Sequence, residues 1–395
     1  IVQACDEIRR GMWHGHFVVD MIQGGAGTSS NMNANEVIAN RALEIMNCER
    51  GDYHLLHPNN HVNMSQSTND VYPSSIKIAL LLMIDNFVNE IDLLADTFEE
   101  KATVFRQVIK MGRTQLQDAV PMTMGQEFQT WARTIRSSRN RINRALDYLR
   151  ELNMGGTAIG TGINTDKRYA PMVINELNLL TNLDLKLAYD LVEATQDTSS
   201  FVELSGVLKM FAVRLSKICN DLRLLSSGPC CGFNEINLPA VQAGSSIMPG
   251  KVNPVIPEVV NQVAFQIIGL DNTIATASES GQLQLNVFEP VIAYNLFSSI
   301  TMMSNAVVTL RTRCIADITA NEEICREMVR SSIGIVTALN PYLGYEKSSY
   351  IAQQALKTHR SVYDLVLENR YMEKEKLDTI LSPEAMISPA SMLED

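Results

Sequence analysis

From Gly244 to Pro254 the chain reads Gly-Ser-Ser-Ile-Met-Pro-Gly-Lys-Val-Asn-Pro. The run sets two hydroxyls, an ammonium and a carboxamide close together. Ser245, Ser246, Lys251 and Asn253 are residue types that hold a carboxylate and that let a hydroxyl be activated. Its prolines bar the run from a helix interior, because proline lacks the amide donor and collides with the preceding turn. Ile247, Met248 and Val252 set it apart from an ordinary solvated linker.

Three further segments concentrate neutral donors. Gly24 to Asn33 carries Thr28 and Ser29 beside glycines that expose backbone amides. Ser65 to Asp70 carries Ser67, Thr68 and Asn69 ahead of Pro73. Gly112 to Pro121 carries Arg113, Thr114 and Gln115. Alone, the first reads as a surface loop capping a helix through Asn33 or Asn35, and the second as a helix cap. The third reads as a turn between helices, with Asp118 bonded to nearby backbone. Together, neutral donors with Lys251 and Arg113 suit a dicarboxylate whose charge grows during reaction. No His-Glu-x-x-His, Gly-x-Ser-x-Gly or Cys-x-x-Cys spacing occurs, which argues against metal hydrolysis, a serine-hydrolase triad and structural zinc. Seven scattered cysteines fit reduced thiols and a cytoplasmic location; vicinal Cys230 and Cys231 are the one arrangement open to redox chemistry.

These segments must be positioned by helices. Glu36 to Cys48 reads as one. From Ser74 to Met111 there is no glycine or proline, and Ile84, Phe87, Val88, Ile91, Ala95 and Phe98 recur at helical steps. Gly125–Asn153, Thr195–Leu225, Pro257–Ser280 and Pro290–Ile318 repeat the pattern. Helices this long bury their faces in a bundle, and apolar residues on more than one side call for helices from other subunits. The expected fold class is mainly all-α, a central bundle of long helices with smaller flanking domains. The divisions are 1–73, apparently incomplete at the front since Ile1 lies in a helix already under way; 74–318, the bundle carrying the Ser-Ser loop; and 319–395, a small helical domain. Within 395 residues, 46% hydrophobic and 19% charged, the composition is that of a folded soluble protein. A net charge of −11 argues against nucleic acid as main partner. No apolar run nears the ~18 residues of a membrane span.

The segments GGAGTSSNMNANEVIANRA, HVNMSQSTNDVYP, GRTQLQDAVPMTMGQEF, GGTAIGTGINT and GSSIMPGKVNP together resemble the ordered motif set of the aspartase/fumarase superfamily of lyases. Fumarases usually carry histidine where Gln115 stands, and the wording Gly-Gly-Ala-Gly-Thr-Ser is closer to the aspartase branch. The resemblance implies a homotetramer with active sites shared by three subunits, no organic cofactor, and reversible removal of ammonia from L-aspartate to give fumarate through an enediolate. It implies Ser245 as the base. It also implies Thr28, Ser67, Thr68 and Ser246 on the side-chain carboxylate, and Thr114, Lys251 and Asn253 on the α-carboxylate. Asn69 and Gln115, with Thr28, would lie near the amino group. Magnesium activation occurs in that superfamily, but no residue here locates an ion. Fumarate hydration is the neighbouring expectation, and a non-catalytic helical oligomer is the expectation from another class.

Overall fold

A computed structural model describes residues 1–242, 244 and 247–386. The chain is predominantly helical. In order run α1 Val2–Arg9, α2 Thr28–Ile45, α3 Thr68–Val104, α4 Met124–Leu149, α5 Tyr169–Thr181, α6 Leu191–Gln196, α7 Ser199–Leu225, α8 Val255–Glu279 and α9 Glu289–Arg313. Then follow α10 Glu322–Ser331, α11 Val336–Thr358, which is broken by a kink at Gly344, α12 Val362–Glu368, α13 Lys374–Ile380 and α14 Pro383–Met386. Among the described residues the extended structure is confined to two-stranded pairs, of which the longest joins β1 Ile109–Thr114 to β2 Gln117–Thr123 in antiparallel register.

Two compact units share these elements. One comprises Ile1–Glu90, Ser137–Val213 and Gln262–Asn305; the other comprises Ile91–Arg136, Arg214–Asn261 and Ala306–Asp395. Within the first, Phe87 of α3 meets Phe211 of α7 edge to face at 6.0 Å, and Leu80, Ile84, Leu204, Ile292 and Leu296 are buried. Within the second, Phe98, Phe105, Phe128 and Trp131 interlock, with ring centroids 4.8 to 5.9 Å apart for Phe128–Trp131, Phe105–Phe128 and Phe98–Trp131. Each fully buried large apolar side chain is worth roughly 1.5–3 kcal/mol of transfer free energy. Ile109 and Met111 of the hairpin join Val329, Ile335, Leu339 and Ile351 in a second core of this unit.

The long helices follow the expected periodicity, but their ends differ from it. The helix expected from Ser74 begins at Thr68 and takes Pro73 into its second turn. Proline leaves the carbonyl four residues back without a partner, and here Asn153 Nδ2 donates to Asn69 O at 2.9 Å in its place. At the other end α3 stops at Val104, and Ile109–Met111, expected as helix, are strand. A short apolar run serves either state. The helix expected over Thr195–Leu225 is broken at Asp197, whose backbone is extended and whose side chain accepts from Ser199 N at 3.1 Å. By length and composition the segment Glu289–Asp317 reaches what a membrane span needs, contrary to expectation. Half of its most apolar window is buried inside the protein, so its apolar character serves the core.

Candidate active site

In the first unit the starts of α2 and α3 adjoin. Thr28 opens α2, and the segment through Asn33, expected as loop, forms its first turns. Gly27 takes φ +90°, and a Cβ there would fall 2.4 Å from the Tyr72 ring of α3, so only glycine lets the two helix starts approach. Asn31 Nδ2 donates to Thr68 Oγ1 at 2.9 Å, fixing that hydroxyl. Several amides at these starts are already bonded, Thr28 N to Gly25 O at 3.0 Å, Ser30 N to Gln23 Oε1 at 3.1 Å and Asn69 N to Ser67 Oγ at 3.2 Å; what two helix N-termini side by side add is partial positive charge, which favours an anion.

Beneath them lies Asp70, with no exposed surface. Its Oδ1 accepts from Ser67 N at 2.9 Å, and its Oδ2 from Gly155 N at 3.2 Å and Thr157 N at 3.0 Å. Burial pushes this carboxyl above the ordinary aspartate value, against the amides of Ser67, Thr157, Gly155 and Val71 that favour its charged form. Asn69 Nδ2 donates to Ala158 O at 2.8 Å. The Gly155–Gly162 loop is thus folded onto Ser67, Thr68 and Asn69 by one buried carboxylate and one amide. Ser67 Oγ accepts from Asn69 N at 3.2 Å, which sets its rotamer.

In the second unit, Thr114 and Gln115 stand exposed at the tip of the β1–β2 hairpin. Gln115 and Leu116 both take positive φ (54° and 61°), as a tight two-residue hairpin turn demands. This corrects the expected inter-helix turn. Asp118, expected on nearby backbone, has its Oδ2 bonded instead by Ser332 Oγ at 2.8 Å, 214 positions away. The root of the hairpin is ionic. Glu235 is fully buried; its Oε1 accepts from Arg113 Nη1 at 2.6 Å, and its Oε2 lies 3.0 Å from Lys110 Nζ, near enough for an ion pair though not aligned as a hydrogen bond. Lys110 also donates to Glu127 Oε2 at 2.5 Å. Burial works against the Lys110 ammonium, but Glu127 and Glu235 outweigh it and hold its pKa above the usual lysine value. Arg113 Cζ lies over the Phe233 ring, 4.1 Å from its centre.

Lys251 is exposed, and Asn253 is half-buried, its carbonyl accepting from Val255 N at 2.9 Å where α8 begins. A Cβ on Gly244 would fall 2.0 Å from the Lys251 carbonyl oxygen, so the two ends of this run meet through a glycine. Ser245 and Ser246 lie outside the described residues. Thr28, Ser67, Thr68 and Asn69 are therefore gathered in one unit, and Thr114, Gln115, Lys251 and Asn253 belong to the other.

Residues 1–269 match the family described as lyase, and residues 335–388 match the fumarase C C-terminus. The chain is 59% identical over 389 residues to an aspartate ammonia-lyase of Helicobacter pylori, covering 98% of this chain and 83% of that protein. The chain belongs to this lyase family. A solved structure titled fumarate lyase:delta crystallin, from Brucella melitensis and bound to cobalt, superposes with a TM-score of 0.96 at 53% identity, over 98% of this chain and 84% of that one. A class II fumarase from Schistosoma mansoni superposes at 0.92, with 34% identity over 98% of this chain and 85% of that one. The family confirms the helical-bundle fold class, and its lyases are independent of organic cofactors.

Sequence reasoning passed over several residues that build this lyase's site. Asn31, Asp70 and Asn153 hold the donor residues from beneath, and Thr157 brings a buried hydroxyl that has no partner among the described residues. A threonine set among glycines in Gly-Gly-Thr-Ala-Ile-Gly-Thr-Gly was the signal available for Thr157. For Asp70 only the contact with Ser67 is local; Gly155 and Thr157, which fill its other oxygen, are more than 80 positions away.

Proposed function

We propose that the chain is an aspartate ammonia-lyase, a carbon–nitrogen lyase that converts L-aspartate reversibly to fumarate and ammonia. The observation that carries this reading is identity of 50–59% to curated aspartate ammonia-lyases along 98–99% of the chain, against 34% to the class II fumarase. The donor types agree with it. Thr28, Ser67, Thr68 and Ser246 hold the side-chain carboxylate, Thr114, Lys251 and Asn253 hold the α-carboxylate, and Asn69 and Gln115, with Thr28, lie near the amino group.

Ser245 takes the proton from the carbon beside the side-chain carboxylate. A second negative charge spreads into that carboxylate as the enediolate forms, and ammonia leaves the neighbouring carbon. Neutral donors at helix starts suit this step, because they strengthen as charge arrives and need no proton of their own. An alcohol serves as base only when its pKa is lowered. Each unit costs about 1.4 kcal/mol, so a drop of about five units asks for roughly 7 kcal/mol from Lys251, loop amides and the exclusion of water. Among the described residues no three His, Cys, Asp or Glu side chains are grouped to ligate a metal ion.

The active form is a homotetramer of the cytoplasm in which each site draws loops from three subunits. Exposed apolar side chains on bundle helices support the assembly: Leu82 of α3, Val213 of α7, and Val259 and Phe265 of α8, the last 63% exposed. The test is spectroscopic. L-Aspartate should yield fumarate absorbance and L-malate should not; Ser245→Ala should abolish turnover while the tetramer persists. Fumarate from malate alone would assign the hydratase, fumarate from neither would assign a non-catalytic oligomer, and turnover by Ser245→Ala would remove Ser245 as base.

A further inference from the structure

Gly228-Pro229-Cys230-Cys231-Gly232 is a short excursion after α7 that the proposed chemistry does not use. Its base is cinched. Phe233 N donates to Ser227 Oγ at 3.1 Å, Asn234 N to Ser227 O at 2.8 Å, and Glu235 N to Leu225 O at 2.8 Å. A Cβ on Gly232 would lie 2.4 Å from the Ser227 carbonyl carbon, so glycine alone closes the neck. Both thiols are exposed and free, whereas Cys219, Cys314 and Cys325 are buried.

Adjacent thiols have a distinct chemistry. Neighbouring Cα atoms sit about 3.8 Å apart across a trans peptide, while an unstrained disulfide wants roughly 4.4–6.8 Å. A bond between neighbours is therefore strained, and strained, exposed disulfides are the easily reduced, regulatory kind. The loop also leads to the site. Phe233, two residues after Cys231, is the ring on which Arg113 rests at 4.1 Å, and Glu235, two further on, grips the Arg113 guanidinium. Thr114 and Gln115 follow Arg113 directly.

We propose that Cys230 and Cys231 are a reversible redox dithiol whose substrate is a low-molecular-weight disulfide such as oxidised glutathione. One thiolate attacks the oxidant, a mixed disulfide forms and the first thiol leaves. The second thiolate then attacks the sulfur of its neighbour and expels the second thiol. The pair is oxidised by two electrons, the oxidant becomes two thiols, and the two protons lost from the cysteines end on them. Closing the ring shifts Phe233 and thereby loosens the seat of Arg113, so the oxidised enzyme turns over more slowly. That consequence rests on the lyase reading; the dithiol itself does not.

The assembled protein is equilibrated in glutathione buffers from fully reduced to fully oxidised, quenched with iodoacetamide, digested and weighed. The peptide holding both cysteines should pass from carrying two carbamidomethyl groups to carrying none, two hydrogens lighter than the free dithiol, as the buffer becomes oxidising, and back with excess reduced glutathione, while Cys219, Cys314 and Cys325 alkylate after unfolding at every ratio. Alkylation of both thiols throughout, or a lasting glutathione adduct on one, would overturn the dithiol. Turnover of L-aspartate should fall several-fold with ring closure in the parent and stay unchanged in Cys230→Ser/Cys231→Ser. In Phe233→Leu the ring should still close with a smaller fall. A ring that forms without altering the parent's turnover would overturn the link to Arg113. An enzyme inactive even when reduced would count against the lyase reading and leave the mass result standing.

Discussion

Glu235 and Glu289 are equally sequestered from solvent, at 0% and 2% exposure, yet their surroundings differ completely. Glu235, in the second unit, has a cation against each oxygen, Arg113 at 2.6 Å and Lys110 at 3.0 Å. Glu289, at the start of α9 in the first unit, has Oε2 without a hydrogen-bond partner among the described residues. Its opposing cation, Lys77, spends its ammonium on the Glu151 carbonyl at 2.8 Å. Burial drives Glu289 up to about 8, against the pull of Lys77. Burial likewise pushes the Lys77 ammonium below its usual value, with Glu289, Asp197, Glu151 and Glu193 opposing. The difference teaches how each unit holds its own candidate residues. The second unit fixes the Thr114–Gln115 hairpin with full charges. The first fixes Ser67, Thr68 and Asn69 with amides around Asp70, while Glu289, buried in the same unit, is left to protonation.

The largest effect should follow from removing the paired glutamate. Glu235→Ala strips Arg113 of its only carboxylate among the described contacts and leaves Lys110 with Glu127 alone. Deleting one partner of a buried ion network costs roughly 3–5 kcal/mol. The denaturant midpoint should fall accordingly, with little change in the slope of the transition. A loss under about 1 kcal/mol, the range of exposed pairs, would show that the hairpin does not depend on charge.

Much of this contrast could not be read from the residues in order. The bundle was legible because Phe87, Ile91 and Phe98 repeat at helical steps, and the donor residues because their motifs are long. The start of α2 was not, since Thr28 to Asn33 are poor helix formers. They are helical through contacts such as Asn31 with Thr68, 37 positions away. The hairpin was hidden for the opposite reason: Ile109–Met111 continue an apolar run without a breaker. Glu235 and Asp70 are ordinary acids until the fold brings Lys110, Arg113, Gly155 and Thr157 to them.

An intermediate effect belongs to Asp70. In Asp70→Asn one oxygen remains, so the amides of Ser67 on one side or of Gly155 and Thr157 on the other lose their acceptor. A buried donor left unbonded costs about 1–3 kcal/mol. Because the change frees either Ser67 or the Gly155–Gly162 loop to which Asn69 is bonded, kcat/KM for L-aspartate should drop by about tenfold or more, the equivalent of about 1.4 kcal/mol, in protein that is still folded at assay temperature. If stability falls while kcat/KM holds, Asp70 supports the fold without positioning the donors.

The smallest effect is a slope with pH, and it belongs to Glu289. Below about 4.5, the ordinary carboxyl value, Glu289 is protonated in both folded and unfolded chains; between there and about 8 the unfolded chain has released the proton and the folded one keeps it. The native state then binds more protons, so its stability falls as pH rises through this window, by at most about 1.4 kcal/mol per unit, and levels off above it. Glu289→Gln keeps the shape and cannot ionise. Its stability should exceed the parent's by a margin that widens from about pH 5 to about pH 8 and then stays constant. Denaturant midpoints of both proteins across that range measure the margin. Lys77 titrates identically in both and drops out unless its own pKa follows the loss of Glu289, which would show as a margin still changing above pH 8. A flat margin through the window would mean that Glu289 is charged when folded, and that Lys77 serves it as Lys110 and Arg113 serve Glu235.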